Sequence, residues 1–158
     1  MHESVRRWVA DTVGIDGLAD LSTLEVGSLV YNGTIRDCFH GPYIGVDMIE
    51  GPGVDLVANA HELPFADASF ECVVSTETLE HDSAFWLSLG EMGRVLRPGG
   101  HLLVTTRGIA CSEHDFPADY WRFTAQTGPL LAELAGCDPI LQESDTELPG
   151  LFLHAVKR

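Results

Sequence analysis

The sequence predicts an α/β domain with a largely parallel sheet. Short apolar runs alternate with segments of helical period, which is the pattern of strand–helix units. Each apolar run ends in a glycine or a polar residue, and ligands in such sheets sit just beyond the carboxyl ends of the strands. The chain has 158 residues, 45% of them hydrophobic. That is the length of one domain spanning residues 1–158, able to bury ~70% of its unfolded surface.

The elements follow in order. Val5, Trp8, Val9 and Val13 recur at helical spacing, so residues 3–13 read as an amphipathic helix. Ser22–Val26 reads as a strand that runs into Gly27, and residues 33–39 as one or two helical turns. Tyr43–Val46 is a strand ending at Asp47, and Asp55–Ala58 one ending at Asn59. Glu71–Ser75 is a third, rich in β-branched residues. Phe85, Leu89, Met92 and Leu96 form the stripe of a core-facing helix, stopped by Pro98-Gly99-Gly100. His101–Thr106 is a strand, followed by a loop over 107–123 that carries His114, Asp115, Tyr120, Trp121 and Arg122. Loops this long in compact domains are often functional. Thr124–Ala135 reads as a helix with Gly136 past its end. Pro139–Glu143 and Leu151–Val156 are closing strands, joined through Glu147-Leu148-Pro149-Gly150.

Charge narrows the function. Nine Lys and Arg against 24 Asp and Glu give a net charge of −15. Such a surface repels phosphate backbones and anionic lipid, so no nucleic-acid and no membrane partner is expected. No segment reaches the ~20 apolar residues of a membrane span, and the first residues lack the apolar run of a signal peptide. The four cysteines form no C-x-x-C pair. They read as reduced thiols of a cytoplasmic protein with no metal site.

Four signals follow strands in order. Glu25, Gly27 and Gly33 lie in LEVGSLVYNGT, Asp47 in IGVDM, Asn59, Ala60 and His61 in VANAHELPF, and Ser75, Thr76, Glu77 and His81 in VVSTETLEH. Each alone has an ordinary structural role, and their joint order is what points to a site. Other glycine loops do not fit. A dinucleotide fingerprint needs a glycine where Leu29 stands, a P-loop needs a lysine, and no G-x-S-x-G is present.

The segment ELPFADASFECVVSTETLEH, followed by EMGRVLRPGGHLLVTT, resembles the class I S-adenosylmethionine (SAM)-dependent methyltransferase family. The similarity is to its broad group of ubiquinone/menaquinone-biosynthesis-like enzymes, and it runs from about Leu24 to Gly136. The resemblance implies a Rossmann-like methyltransferase sandwich, mostly parallel, with a closing antiparallel strand, and SAM as cofactor. It also implies that Glu25 and Gly27 lie beside the methionine end, with Ser28 and Gly33 among the cofactor-binding residues. Asp47 would accept from the ribose hydroxyls, and Met48 would pack on adenine. Asn59, Ala60 and His61 would edge the adenine, with the Asn59 oxygen accepting from its amine, while Ser75 and Thr76 would close the pocket under the sulfonium.

Two departures from the family pattern stand out. Leu29 and Tyr31 occupy positions where the family prefers glycine, so either their side chains point away or the loop is rerouted to bring Gly33 close. Only residues 48–53 separate the second and third strands, so the usual crossover helix is missing. Six extended residues reach ~20 Å, enough for a nearly straight crossing. That arrangement is expected to leave a sheet face bare, and a bare apolar face favours a homodimer.

Methyl transfer from a sulfonium needs positioning first, and a base only for a poorly acidic oxygen or a protonated nitrogen. His114 and His81 are the candidate bases. Tyr120 and Trp121 are candidates to stack on a ring or sugar, and Arg122 to hold a carboxylate or phosphate. A small-molecule or glycan acceptor, methylated on oxygen, is expected. The rival reading is a SAM-binding scaffold or regulatory subunit with little or no catalysis.

Overall fold

The computed structural model describes residues 2–114, 118–145, 147 and 149–158. Asp115 of the long loop and Leu148 of the closing turn lie outside them. The elements are α1 (Glu3–Ile15), β1 (Thr23–Val26), β2 (Tyr43–Asp47), β3 (Leu56–Val57), β4 (Phe70–Thr76), α2 (Phe85–Val95), β5 (Leu96–Arg107), α3 (Gly128–Leu134), β6 (Cys137–Ser144) and β7 (Gly150–Lys157). They form one seven-stranded sheet of order β3-β2-β1-β4-β5-β7-β6. The first five strands pair in parallel, and β7 runs antiparallel to both β5 and β6.

Period-two alternation assigns each strand residue to a face. Leu24, Val26, Val73, Leu102 and Val104 join Leu89 and Met92 of α2 and Leu131 of α3 in one core. Cys72, Val74, Leu103 and Phe152 face the other way, against Val5, Trp8, Val9 and Val13 of α1. Trp8 stacks on Phe152 with ring centroids 5.0 Å apart. Each fully buried aliphatic side chain contributes ~1.5–3 kcal/mol, so the stripe read from 3–13 explains why α1 docks.

Differences from expectation are local. The helix expected over 124–135 is a 3-10 turn at Ala125–Thr127 leading into the shorter α3. β5 starts at Leu96, with the Pro98-Gly99-Gly100 turn absorbed as an irregularity in its pairing with β4. The helix between β2 and β3 is indeed missing. Residues 48–55 connect them without regular structure, because Gly51-Pro52-Gly53 breaks any helix. The 27–42 connection holds only a 3-10 turn at Arg36–Cys38.

The face expected to be bare over β2 is roofed by chain. A side chain at Gly45 would collide with the Gly53 carbonyl and with Ser28. The Val30 amide donates to the Pro52 carbonyl at 2.9 Å. Leu56 and Val57 of β3 stay exposed at this edge, with Met48 and Ile49 of the connector, but the sheet face itself is covered. All four cysteines are free thiols, two buried and two partly buried. Among the described residues no helix is long and apolar enough to cross a membrane.

Candidate active site

A cavity of about 890 Å³ opens beyond the carboxyl ends of β1, β2, β4 and β5. Its size suits a nucleoside-sized ligand with room to spare. One half is built from the ends of β1, β2 and β3, and the other from the loops after β4 and β5.

The first half is mostly backbone. Gly27 sits at φ 83°, and a side chain there would run into the Thr78 hydroxyl. Only glycine combines that conformation with that approach. Leu29 and Tyr31 both line the cavity. Leu29 leans on Gly51, where any side chain would meet its Cδ1, while Tyr31 is exposed. The loop is therefore rerouted along the 48–55 connector, and Gly33 also lines the cavity.

Asp47 ends β2 with its carboxylate fixed by two amides. Oδ2 accepts from Leu29 N at 3.2 Å and Oδ1 from Ile49 N at 3.0 Å. A carboxylate has about four lone-pair sites, so the outer ones remain for a diol. Glu25 is buried in the cavity wall and accepts from the Tyr43 hydroxyl at 2.8 Å. Burial pushes its carboxyl up to about 7. Asn59 and Ala60 line the cavity. The Asn59 oxygen already accepts the His61 amide at 2.9 Å, so its carboxamide offers NH2 more readily than oxygen. His61 is held through Nε2 by Asp82 at 2.8 Å. Met48 is two-thirds exposed at the mouth.

The second half is made by side chains brought from far apart in sequence. Thr76, Glu77, Thr78, His81, Arg107, Cys111, Ser112, His114 and Tyr120 line it, with His2 from the start of α1. Arg107 is buried and pairs with Glu77, and also with Asp145 at 3.6 Å. Asp145 in turn accepts from the Ser4 hydroxyl at 2.7 Å. Behind them Glu80 is fully buried, and among the described residues neither carboxyl oxygen has a hydrogen-bond partner. Burial, then the nearby Glu77 carboxylate, pushes it up to about 8. The His81 and His114 rings meet edge to face, centroids 4.9 Å apart.

Three expected residues are placed elsewhere. Ser75 lies one step along β4 from Thr76, so alternation turns it to the α2 face, where it is buried and absent from the cavity wall. Arg122 does not reach the cavity. Its guanidinium forks onto Asp119 and holds the carbonyls of Cys111 and Ser112, which makes it the clamp of the long loop. Trp121 donates its indole N–H to the Asp82 carbonyl at 2.9 Å and packs on Phe85 and Trp86. Tyr120 alone of that trio faces the cavity. Sequence reading missed Arg107, although it is the first charge after the 101–106 strand, where the post-strand rule applies as it did to the other four. No sequence signal marks His2 or Asp145.

Comparison with known proteins fits this geometry. A methyltransferase-domain family model matches residues 42–104. The ubiquinone/menaquinone biosynthesis C-methyltransferase UbiE of Hahella chejuensis is 49% identical over 55 residues, 34% of this chain and 22% of that protein. A fatty-acid O-methyltransferase of Mycolicibacterium smegmatis is 33% identical over 86 residues, 54% of this chain and 27% of that protein. The chain's matched stretches span between 16% and 39% of the curated relatives' lengths. In structure, the chain resembles the 1,6-didemethyltoxoflavin-N1-methyltransferase of Burkholderia thailandensis, solved with 1,6-didemethyltoxoflavin and S-adenosylhomocysteine. The TM-score is 0.76 at 20% identity, covering 98% of this chain and 79% of that one. A methyltransferase-domain match over residues 42–104, a fold shared with solved methyltransferases and a cavity at the expected strand ends thus agree with a resemblance to the class I SAM-dependent methyltransferase family.

Proposed function

We propose that this protein transfers a methyl group from SAM to a small-molecule or sugar acceptor, on oxygen. The observation that carries the cofactor assignment is the Asp47 carboxylate. It is fixed by two amides at the end of β2 and faces a cavity large enough for a nucleoside. Bound SAM supplies a methyl group already activated as a leaving sulfonium's substituent. The protein's part is to bind, orient and manage a proton.

Asp47 takes the ribose hydroxyls through charge-assisted bonds. Glu25 lies where a methionine ammonium would neutralise it, and a cation there would draw its carboxyl back to the ionised form. Thr76 and Thr78 bound the passage from the cofactor half to the acceptor half. The relatives' names place the methyl on carbon, oxygen or nitrogen. The paired histidines favour oxygen, because a hydroxyl acceptor has a proton to lose.

The test is calorimetric titration with SAM and S-adenosylhomocysteine, with NAD as control, followed by transfer assays. Saturable binding of both sulfur compounds but not NAD supports the cofactor assignment. Binding without transfer to any hydroxyl acceptor would favour the scaffold reading instead.

A further inference from the structure

The acceptor half of the cavity constrains the charge of what it receives. Among the described residues Arg107 is the only lysine or arginine that lines the cavity. It is already neutralised by Glu77 on one side and Asp145 on the other. Arg122, the next cation of the loop, is spent on Asp119. A carboxylate or phosphate entering here would lose its water and find no uncommitted cation, in a protein of net charge −15. An ammonium group fares no better in the acceptor half, where Glu77 holds Arg107 and Asp82 holds His61.

The histidines offer a defined lone pair. His81 Nδ1 lies 2.6 Å from the Ala118 carbonyl, and His114 Nδ1 lies 3.1 Å from the Ser112 carbonyl. A carbonyl only accepts, so each Nδ1 carries the hydrogen. In the neutral ring Nε2 is then the acceptor atom. Two such rings in contact on one wall suit a neutral donor, and a hydroxyl is that donor.

We infer that the acceptor is an uncharged hydroxyl compound whose proton passes to the His81–His114 pair, and that the paired Glu77 and Arg107 exclude its carboxylate counterparts. This rests on the methyl-transfer reading above. In the step, an oxygen lone pair of the acceptor forms the new C–O bond as the C–S bond breaks. That bond's electron pair stays on sulfur, giving the thioether, and the hydroxyl proton goes to a histidine Nε2. No other reactant is needed.

The experiment uses matched pairs of one skeleton: 4-methylphenol against 4-methylbenzoate, cyclohexanol against cyclohexanecarboxylate, and glucose against glucuronate. Each compound is titrated into protein loaded with S-adenosylhomocysteine, and each is assayed for transfer from SAM. Binding of the sulfur cofactor is measured first, so its failure overturns the parent reading and is seen separately. The expected result is that the hydroxyl member of at least one pair binds at least tenfold more tightly than its carboxylate and is methylated. If no hydroxyl compound outbinds its counterpart, or a carboxylate is preferred, the inference is overturned. A variant sharpens it. Glu77→Gln frees half of Arg107, and carboxylate binding should then rise several-fold with cofactor affinity unchanged. His81→Gln with His114→Gln should cut transfer at least tenfold. Unchanged transfer in that double variant would remove the histidines from the reaction.

Discussion

The two halves of the cavity are built by different means. The cofactor half is backbone and two carboxylates, Asp47 and Glu25, assembled largely from residues close in sequence, such as Asp47 with Ile49 and Asn59 with His61. The acceptor half is backed by a buried polar chain, Ser4–Asp145–Arg107–Glu77, that ties α1 to three strand ends. The first half binds by presenting amides and leaves the fold's stability largely alone. The second makes recognition and stability the same set of contacts.

Four substitutions test this contrast. Arg107→Met should have the largest effect, because it strands two carboxylates away from water. Breaking a buried pair this way costs roughly 3–5 kcal/mol, or on the order of 10 °C in melting temperature for a chain this size. Asp47→Ala should instead leave the stability of the free protein within about 1 kcal/mol of the parent's. It should weaken SAM by roughly 10- to 100-fold, the loss of charge-assisted bonds worth ~1.5–3 kcal/mol. Equal melting temperatures for the two variants would erase the distinction.

That same contrast explains what was legible. Asp47, Asn59 and Gly27 announce themselves because a strand end, a turn former and a glycine are local signals. The missing helix was also readable, since only residues 48–53 separate the two expected strands, too few for one. The ion-pair chain was not readable, because Ser4 and Asp145 are 141 positions apart and meet only once α1 and β7 are in place. Arg122 misled for a related reason. A guanidinium beside aromatic residues looks like a ligand clamp until Asp119 three positions earlier is seen to hold it. Ser75 and Thr76 show the remaining limit, since which of two neighbours faces a cavity depends on strand phase.

Gly45→Ala comes next in size. Its new methyl would press on the Gly53 carbonyl and on Ser28, overpacking that costs roughly 1–3 kcal/mol. It should weaken SAM as well, because the displaced segment carries the Leu29 amide that orients Asp47. A fall in melting temperature with unchanged cofactor affinity would show that the roof and the ligand are independent.

The fourth substitution bears on pH. Glu25 and Glu80 are carboxyls raised from 4.5 to about 7 and about 8 by burial. From about pH 4.5 to about 8 the folded state holds protons that the unfolded chain has released, so stability falls as pH rises and levels off above that window. Thermal unfolding of the unligated protein across this range should show the decline, and Glu80→Gln should flatten it. A variant profile parallel to the parent's would mean that Glu80 is already ionised in the fold.

The sheet's two margins are finished differently, and this bears on how the protein behaves in a crowded solution. An open sheet edge is a template on which other chains can polymerise. At one margin β3 is two residues long, too short to seed a ladder. At the other, β6 is eight residues long and largely exposed, but Pro139 lacks an N–H and the pairing with β7 shifts beside it. Asp138 and Glu143 add like charge along that strand. Both margins are thereby blunted against edge-to-edge aggregation, which lets a fold that has dispensed with two crossover helices keep an eight-residue outer strand.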